Sequence, residues 1–307
     1  MSDTWTLLQI LKWTTGFFEK QGIGSPRLDA ELLLAHVLGL ERIQLYVQFD
    51  RPLVPAERHA YRELVKRRAS GEPVQYILGT QEFWSIAFAV RRGVLVPRPD
   101  TEVLVEEALA IARTLAGQAG DGLRIADVGT GTGAIAVAIA SELPGAAVWA
   151  GDIAAVPLAL APENARTAGV GDRVTVCPGA GLAPLVVAAG GGPFDLVCSN
   201  PPYIREGELA GLMREVRDWE PREALAAGAD GLDVLRILVD EVARPGALRP
   251  DGAVLFEIGD GAQADVVGAW LTARGLRGVR VRNDYAGRPR VVIARGPGFV
   301  AAGSGPA

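Results

Sequence analysis

The sequence predicts an α/β protein in which a small helical bundle and a β-hairpin precede a mainly parallel sheet of seven strands. Over the first eighty residues apolar side chains recur at helical spacing, and the period then changes to alternation. Further on, short β-rich runs alternate with helical runs, as in βαβ units. We therefore expect a helical domain at residues 1–80, a hairpin linker at 81–98, a sheet domain at 99–295 and a disordered tail at 296–307.

Three helical segments make up the predicted bundle. The first runs from about Trp5 to a stop at Gly22, and Ser25 followed by Pro26 is a candidate N-cap for the second. The third, over residues 56–69, carries four basic residues. These form either a solvated helix face or a surface for an acidic partner: Arg62, Lys66, Arg67 and Arg68.

In the predicted linker, side chains alternate with the period of a β-strand over residues 83–89, and a second short β-rich run follows over residues 94–96. We predict that these two runs pair as a hairpin whose turn is Arg91-Arg92-Gly93. Asp100 or Thr101 is then a candidate cap for the helix that follows.

Seven strands and the helices between them are predicted for the sheet domain. Ligands of parallel sheets bind at the carboxyl ends of the strands, so we expect the site in the loops that follow them. Pro162 should start or kink the helix in which it lies. The predicted strands are 124–128, 147–151, 173–177, 194–199, 253–258, 278–282 and 290–294, and the helices are 102–115, 133–142, 155–168, 231–243 and 261–274.

Composition excludes several classes of protein. Of the 307 residues, 49% are hydrophobic and 22% are charged, as in globular proteins. No apolar run is long enough for a membrane span, and Asp3 stands where a signal peptide carries positive charge. Cys177 and Cys198 form no CxxC motif, so neither a disulfide framework nor a zinc site is indicated. We expect a cytoplasmic monomer without a metal.

The charge distribution argues against a nucleic-acid partner. The net charge of −5 is unsuited to binding mainly through phosphates. Residues 1–98 carry 13 Lys/Arg against 10 Asp/Glu, a net charge of +3, and residues 99–307 carry 18 against 26, a net charge of −8. This asymmetry favours two domains with different roles.

A glycine-rich loop joins the first predicted strand of the sheet domain to its first helix. Its glycines permit a tight turn and close approach of a ligand, and the helix N-terminus offers free N–H groups. Asp152, after the second strand, is placed to accept hydrogen bonds from ribose hydroxyls. Together they indicate an adenosine-type cofactor without choosing the reaction. The loop residues are Gly129, Thr130, Gly131, Thr132 and Gly133.

The choice of reaction comes from Asn200-Pro201-Pro202-Tyr203, directly after a predicted strand. The two prolines stiffen the loop and remove two backbone donors. The Asn200 side-chain oxygen and the Pro201 carbonyl can accept the two N–H groups of an NH₂ substrate, which localises the nitrogen lone pair for attack on a methyl sulfonium. The Tyr203 ring offers a stacking face for a planar group.

At these positions the sequence resembles the PrmC/HemK family, whose members use S-adenosylmethionine to methylate the glutamine of the Gly-Gly-Gln motif in peptide-chain release factors. The similarity covers nearly the whole chain. Besides the glycine loop and the Asn-Pro-Pro-Tyr tetrapeptide, it includes residues 72–79, 94–102, 220–225, 230–232, 256–259 and 284–290.

The resemblance implies a Rossmann-like class I methyltransferase domain and a role in translation termination. Residues 129–133 would lie along the methionine end of S-adenosylmethionine, Asp152 would hold its ribose, and Asn200 would adjoin both methyl group and substrate. Residues 200–203 would clamp the glutamine, and the helical domain would help grip the release factor. The family's usual acidic and aromatic adenine contacts are replaced here by Gly179-Ala180-Gly181, which puts the adenine contacts in doubt.

Three other functions remain open from the residues alone. A DNA or RNA adenine methyltransferase would use the same tetrapeptide, but the chain is acidic and has no obvious target-recognition domain. A nicotinamide-dependent dehydrogenase explains the glycine loop and Asp152 but not the tetrapeptide. A non-catalytic binding module would not explain why all the residues expected at the reacting site are present.

Overall fold

The computed structural model describes residues 5–117 and 120–300, which fall into two compact units. The smaller unit extends to Thr80 and also includes Met213–Trp219. The larger unit comprises Gln81–Leu212 and the chain from Glu220 onward. Among the described residues, no helix combines the length and apolar character that crossing a membrane requires.

Five helices of the smaller unit surround an apolar core. Tyr61 and Phe18 are among its largest fully buried side chains, and the Tyr61 hydroxyl donates a 3.1 Å hydrogen bond to the carbonyl of Ala30. Thr6 and Gln9 form a capping box at the first helix, whereas Ser25 makes no side-chain cap bond. The helices are α1 (Leu7–Lys20), α2 (Pro26–Leu38), α3 (Arg42–Val47), α4 (Pro55–Ala69) and α5 (Val74–Leu78).

A buried ion cluster holds the inserted segment within the smaller unit. Arg68, only 4% exposed, pairs with Asp29 at 2.6 Å and with Glu215 from the inserted segment. Arg67 pairs with Glu72 and Lys66 with Glu63, each at 2.6 Å. The prediction that Arg68 belongs to an exposed basic face is therefore wrong, because its guanidinium is used inside the unit.

The hairpin lies earlier in the chain than predicted. Strands β1 (Thr80–Phe83) and β2 (Ile86–Ala89) are joined by Trp84 and Ser85, both left-handed with φ of 55° and 56°. Two consecutive left-handed residues match the twist of paired strands. The predicted turn at residues 91–93 is wrong, and residues 94–96 form no strand. Gly or Asn, which would have signalled the true turn, is absent from it.

The larger unit is built on a seven-stranded sheet, which confirms the predicted fold class. The strands are β3 (Arg124–Val128), β4 (Ala147–Asp152), β5 (Val174–Pro178), β6 (Phe194–Ser199), β7 (Leu248–Glu257), β8 (Arg277–Asn283) and β9 (Pro289–Arg295). The strand order is β5-β4-β3-β6-β7-β9-β8, with parallel pairing from β5 to β7 and antiparallel pairing of β9 with both neighbours.

Apolar side chains cover both faces of this sheet. Along β3, Ile125 belongs to one buried cluster and Ala126 to the other, as strand alternation requires. The helices of this unit are α6 (Glu102–Ala116), α7 (Ala134–Glu142), α8 (Ala155–Thr167), α9 (Ala183–Ala188), α11 (Asp233–Val242) and α12 (Gly261–Ala273), while α10 (Arg214–Trp219) lies in the inserted segment. Short 3₁₀ helices occupy Pro99–Thr101, Glu206–Gly211 and Arg222–Ala224.

Pro162 lies inside α8, which continues through it, so the prediction that it starts the helix is wrong. Tertiary contacts hold this helix on both sides of the proline. Leu160 and Ala161 are buried, and the Asn164 side chain accepts a 2.8 Å hydrogen bond from Ala89 N and donates one of 2.8 Å to the carbonyl of Thr132. These hydrogen bonds compensate for the intrahelical hydrogen bond that is lost because proline has no N–H group.

The start of the predicted disordered tail is ordered. Gly296 N donates to the carbonyl of Gly252 at 2.8 Å, and Gly298 N donates to that of Pro250 at 2.7 Å. Residues 301–307 lie outside the described residues.

The protein with glycine at position 85 should be more stable than the protein with alanine there, which is the reverse of the usual order. A left-handed residue with a Cβ costs about 1 kcal/mol, and glycine avoids this strain. We expect Ser85→Gly to exceed Ser85→Ala by about 1 kcal/mol in the free energy of unfolding. Urea denaturation of the two variants measures this, and equal stabilities would contradict the left-handed turn.

Candidate active site

A cavity of about 440 Å³ opens at the carboxyl ends of the parallel strands in the larger unit. Its volume lies in the range of small-molecule sites. Loops after β3, β4, β5 and β6 line it, together with residues near the Pro99–Thr101 and Arg222–Ala224 helices and along α11. The cavity brings together eight of the predicted site residues: Gly129, Thr130, Gly131, Thr132, Asp152, Asn200, Pro201 and Pro202.

The glycine loop is left-handed at three positions. Gly129 and Gly131 have φ of 76° and 58°, and an added Cβ at either would meet no atom within 4 Å. Backbone conformation, rather than crowding, therefore favours glycine there, and the adjacent space stays open. Gly133 does not line the cavity; its added Cβ would lie 3.2 Å from that of Ala161, so this glycine lets α7 approach α8 closely.

Asp152 fastens the glycine loop to the end of β4. Its Oδ2 accepts a 2.9 Å hydrogen bond from Gly131 N, and its Oδ1 accepts one of 3.0 Å from Ala154 N. Each carboxylate oxygen can accept a further hydrogen bond. Asp152 thus shapes the loop and still presents acceptors at the cavity wall.

Asp127 lies fully buried beneath the same loop. Its Oδ2 accepts hydrogen bonds from the Thr130 hydroxyl at 2.6 Å and from Ala136 N at 3.2 Å. Oδ1 has no partner in the part of the chain that the structure describes. Burial raises the pKa of Asp127 to about 6, despite the hydrogen bonds that lower it.

The Asn200 side chain has a defined orientation. Its Nδ2 donates a 3.0 Å hydrogen bond to Oγ1 of Thr101, and within the described chain its Oδ1 accepts none from the protein. The following residues are anchored, because Ile204 N donates to the carbonyl of Leu225 at 2.9 Å and the Gln263 side chain donates to that of Tyr203 at 2.8 Å. A stiff loop therefore presents one free amide oxygen.

Tyr203 does not line the cavity. Its hydroxyl donates a 3.2 Å hydrogen bond to Oε1 of Glu257, and burial raises its pKa above the ordinary value. The stacking role of its ring stays a prediction.

Sequence reasoning missed the roles of two residues beside the cavity. Thr101, considered only as a helix cap, makes no cap bond and accepts from Asn200 instead. Arg98 pairs with Glu220 at 2.6 Å and so joins two distant segments around the cavity. Only the family resemblance pointed to these segments, since no local pattern relates them.

The end of the cavity near Gly179-Ala180-Gly181 has an acidic residue from an unexpected element. Glu241 on α11 lines the cavity, and its Oε2 accepts a 2.6 Å hydrogen bond from Leu182 N. An added Cβ at Gly181, whose φ is 72°, would lie 2.2 Å from that oxygen. Ile153 and Ile237, 67% and 55% exposed, also line the cavity.

Comparison with solved structures agrees with the fold of the larger unit. The catalytic domain of hMettl16, solved in complex with a MAT2A 3′UTR hairpin, matches this chain with a TM-score of 0.55 and 16% identity. The match covers 76% of this chain and 82% of the hMettl16 chain. At this identity the likeness concerns the fold.

Comparison with protein families and curated sequences is more specific. The PrmC N-terminal domain family matches residues 9–79, and the methyltransferase small domain family matches residues 107–215. The release factor glutamine methyltransferase of Geobacter sulfurreducens is 44% identical, over 95% of this chain and 98% of the relative. That of Chlorobaculum tepidum is 42% identical, over 92% and 94%. The chain therefore belongs to the release factor glutamine methyltransferase family.

Proposed function

We propose that this protein transfers a methyl group from S-adenosylmethionine to the side-chain amide nitrogen of the glutamine in the Gly-Gly-Gln motif of peptide-chain release factors, and so modulates translation termination. The observation that carries the proposal is the free Oδ1 of Asn200, presented in the same cavity as the glycine loop and Asp152. The 42–44% identity to relatives bearing this activity's name supports it.

The residues of the cavity suit S-adenosylmethionine. The open space beside Gly129 and Gly131 admits the methionine end. Asp152 offers acceptors for ribose hydroxyls. When bound, the cofactor supplies an electrophilic methyl sulfonium.

Glu241 takes the place of the acid missing after the third strand of the sheet domain. Its carboxylate offers acceptor capacity beyond its bond to Leu182 N, suitable for the exocyclic amine of adenine. Ile153 and Ile237 supply apolar surface for the flat faces of the base. Adenine is thus held by α11 rather than by the loop at residues 179–181.

The tetrapeptide makes the substrate nitrogen nucleophilic. An amide nitrogen is a poor nucleophile because its lone pair is delocalised into the carbonyl. Oδ1 of Asn200 and the carbonyl of Pro201 each accept one N–H, which localises the lone pair and aims it at the methyl group. With the cofactor bound, Asn200 and Pro201 would hold the nitrogen towards the methyl group that the sulfonium supplies, and the nitrogen would lose the proton that methylation makes acidic. Pro202 stiffens the loop. Tyr203, which does not line the cavity, anchors the end of the loop through its hydrogen bond to Glu257.

The helical unit helps to grip the release factor. Its sequence matches the PrmC N-terminal domain, and several large apolar side chains are exposed on it. Trp13, Ile43, Val47 and Phe49 are each more than half exposed, which is typical of surfaces that dock a protein partner. Since release factors act in translation, the enzyme works in the cytoplasm.

Replacing Asn200 should remove most catalysis and leave cofactor binding intact. Losing one such oriented acceptor costs about 3 kcal/mol, roughly a hundredfold in kcat. We expect this loss for Asn200→Ala in a methyl-transfer assay, with S-adenosylmethionine affinity unchanged by calorimetry. The exposed Asn283→Ala is the matched control. Near wild-type turnover by Asn200→Ala would overturn the mechanism.

Replacing Asp152 should act on cofactor affinity. Asp152→Ala removes the ribose acceptors and one anchor of the glycine loop, at a cost of about 1–3 kcal/mol. The Kd for S-adenosylmethionine should therefore rise roughly 5- to 150-fold. Asp172→Ala, which removes an exposed carboxylate elsewhere, should leave the Kd unchanged. An unaltered Kd in Asp152→Ala would show that the ribose is held by other residues.

The substrate class is tested by transfer from S-adenosylmethionine labelled in its methyl group. Label should appear on a release factor, but neither on the same protein with the Gly-Gly-Gln glutamine replaced nor on DNA or RNA. Label on nucleic acid alone would establish the adenine methyltransferase alternative, which the net charge of −5 disfavours.

A further inference from the structure

Residues 284–290 match the family motif, but the mechanism above gives them no part. They form the turn between β8 and β9 and the first two residues of β9, and we call them the arginine turn because they carry Arg288 and Arg290. Arg290 is only 7% exposed. Burying a charged side chain is costly unless it is paired and hydrogen-bonded, so the partners of this arginine indicate what the turn does.

Asp284 organises the arginine turn. Its Oδ1 accepts 2.9 Å hydrogen bonds from Ala286 N and Arg288 N. Its Oδ2 accepts one of 2.9 Å from Nε of Arg288 and one of 3.2 Å from the Arg290 guanidinium, which also donates to the carbonyl of Ile258 at 3.3 Å. One buried carboxylate therefore fixes both guanidinium groups before they meet any partner outside the turn.

The partner outside the turn is Asp100. Its Oδ2 accepts a 3.2 Å hydrogen bond from Arg288 and forms an ion pair of 3.2 Å with Arg290. Asp100 is the middle residue of the 3₁₀ helix Pro99–Thr101, 188 positions before Arg288 in the sequence. The arginine turn therefore holds this short helix at its centre.

The residue that follows Asp100 is the partner of Asn200. Oγ1 of Thr101 accepts the 3.0 Å bond from Nδ2 of Asn200, which is the only hydrogen bond of that side chain within the described residues. The two ends of an amide are nearly equal in size and differ in donating or accepting, so this bond decides which end faces the substrate. Because hydrogen bonds weaken steeply with distance, a shift of Oγ1 by about 0.5 Å would release the amide.

We propose that Asp100 is a positioning residue, which the arginine turn holds so that Oγ1 of Thr101 stays in place for Nδ2 of Asn200. Oδ1 of Asn200 thereby keeps facing the substrate amide. This inference rests on the proposed function of the tetrapeptide. Neither Asp100 nor the arginine turn lines the cavity, so both act on catalysis through Thr101 alone.

Other contacts should keep this segment folded when Asp100 is replaced. On one side of the 3₁₀ helix Arg98 pairs with Glu220 at 2.6 Å, and on the other Glu102 accepts a 2.9 Å hydrogen bond from Trp84 N. The Asp100 side chain is 42% exposed, so removing it leaves no cavity in the core. Asp100→Ala should therefore fold and loosen only the 3₁₀ helix.

The test compares Asp100→Ala with wild type in the full-length enzyme acting on a release factor. We expect kcat and kcat/KM to fall together, roughly tenfold, because a misplaced acceptor weakens an interaction made in the transition state. The calorimetric Kd for S-adenosylmethionine should stay within about twofold of the wild-type value. Asp100→Asn keeps an acceptor oxygen for the two arginines and should lose less activity than Asp100→Ala.

Glu107 provides the matched control. It lies on α6 and pairs with Arg280 and, at 3.3 Å, with Arg282 on β8. Glu107→Ala thus also removes a carboxylate that two arginines of the β8–β9 hairpin hold, but at a distance of six positions from Thr101 along the chain. Its kcat should equal that of wild type.

A double-mutant comparison separates positioning from a general loosening of the fold. In the Asn200→Ala background Thr101 has no amide left to orient, so adding Asp100→Ala should reduce kcat by less than about twofold further. A further tenfold loss in that background, wild-type kcat in Asp100→Ala alone, or an equal loss in Glu107→Ala would each overturn the inference. If Asn200→Ala alone is inactive in the same assay, the proposed function survives those outcomes.

Discussion

The hydrogen bond from Nδ2 of Asn200 to Oγ1 of Thr101 joins two segments 99 residues apart at the carboxyl edge of the sheet. Because an amide group has one donor end and one acceptor end, occupying the donor leaves the oxygen for a ligand. The catalytic proposal needs that oxygen. The prolines of the loop, together with its hydrogen bonds to Leu225 and Gln263, restrict its conformation and so help to hold the Asn200 oxygen in place.

The cofactor side of the cavity is organised by a carboxylate as well. Asp152 accepts from Gly131 N and Ala154 N, so the acid proposed to bind ribose also shapes the loop proposed to bind the methionine end. Two constraints therefore meet in one cavity, a left-handed glycine loop on the β3–β4 side and a rigid acceptor loop after β6. Methyl transfer requires this combination, because donor and acceptor must be held in one orientation.

Local sequence patterns predicted the sheet well. Alternation and βαβ spacing are properties of short segments, and β3 and β6 have the predicted bounds. The hairpin was misplaced because Trp84 and Ser85 adopt a left-handed turn without the usual residues. The assignment of residues 213–219 to the helical unit was missed because the contacts of Arg68 with Glu215 span 147 residues. Pro162 does not start a helix, as the sequence allowed, because contacts of neighbouring residues hold α8 together on both sides of it.

Contiguous motifs were enough to predict the fold class, the family and the loops in which the site residues lie, because each of these depends on short segments of the chain. The partners of the site side chains, in contrast, depend on contacts that exist only in the folded chain. In the folded chain Thr101, predicted as a helix cap, accepts a hydrogen bond from Asn200. Glu257 accepts one from Tyr203, 54 residues away in the sequence, and Glu241 accepts one from Leu182, 59 residues away. Hydrogen bonds between strand ends depend on the order of strands in the sheet, and that order is a property of the folded chain rather than of any segment.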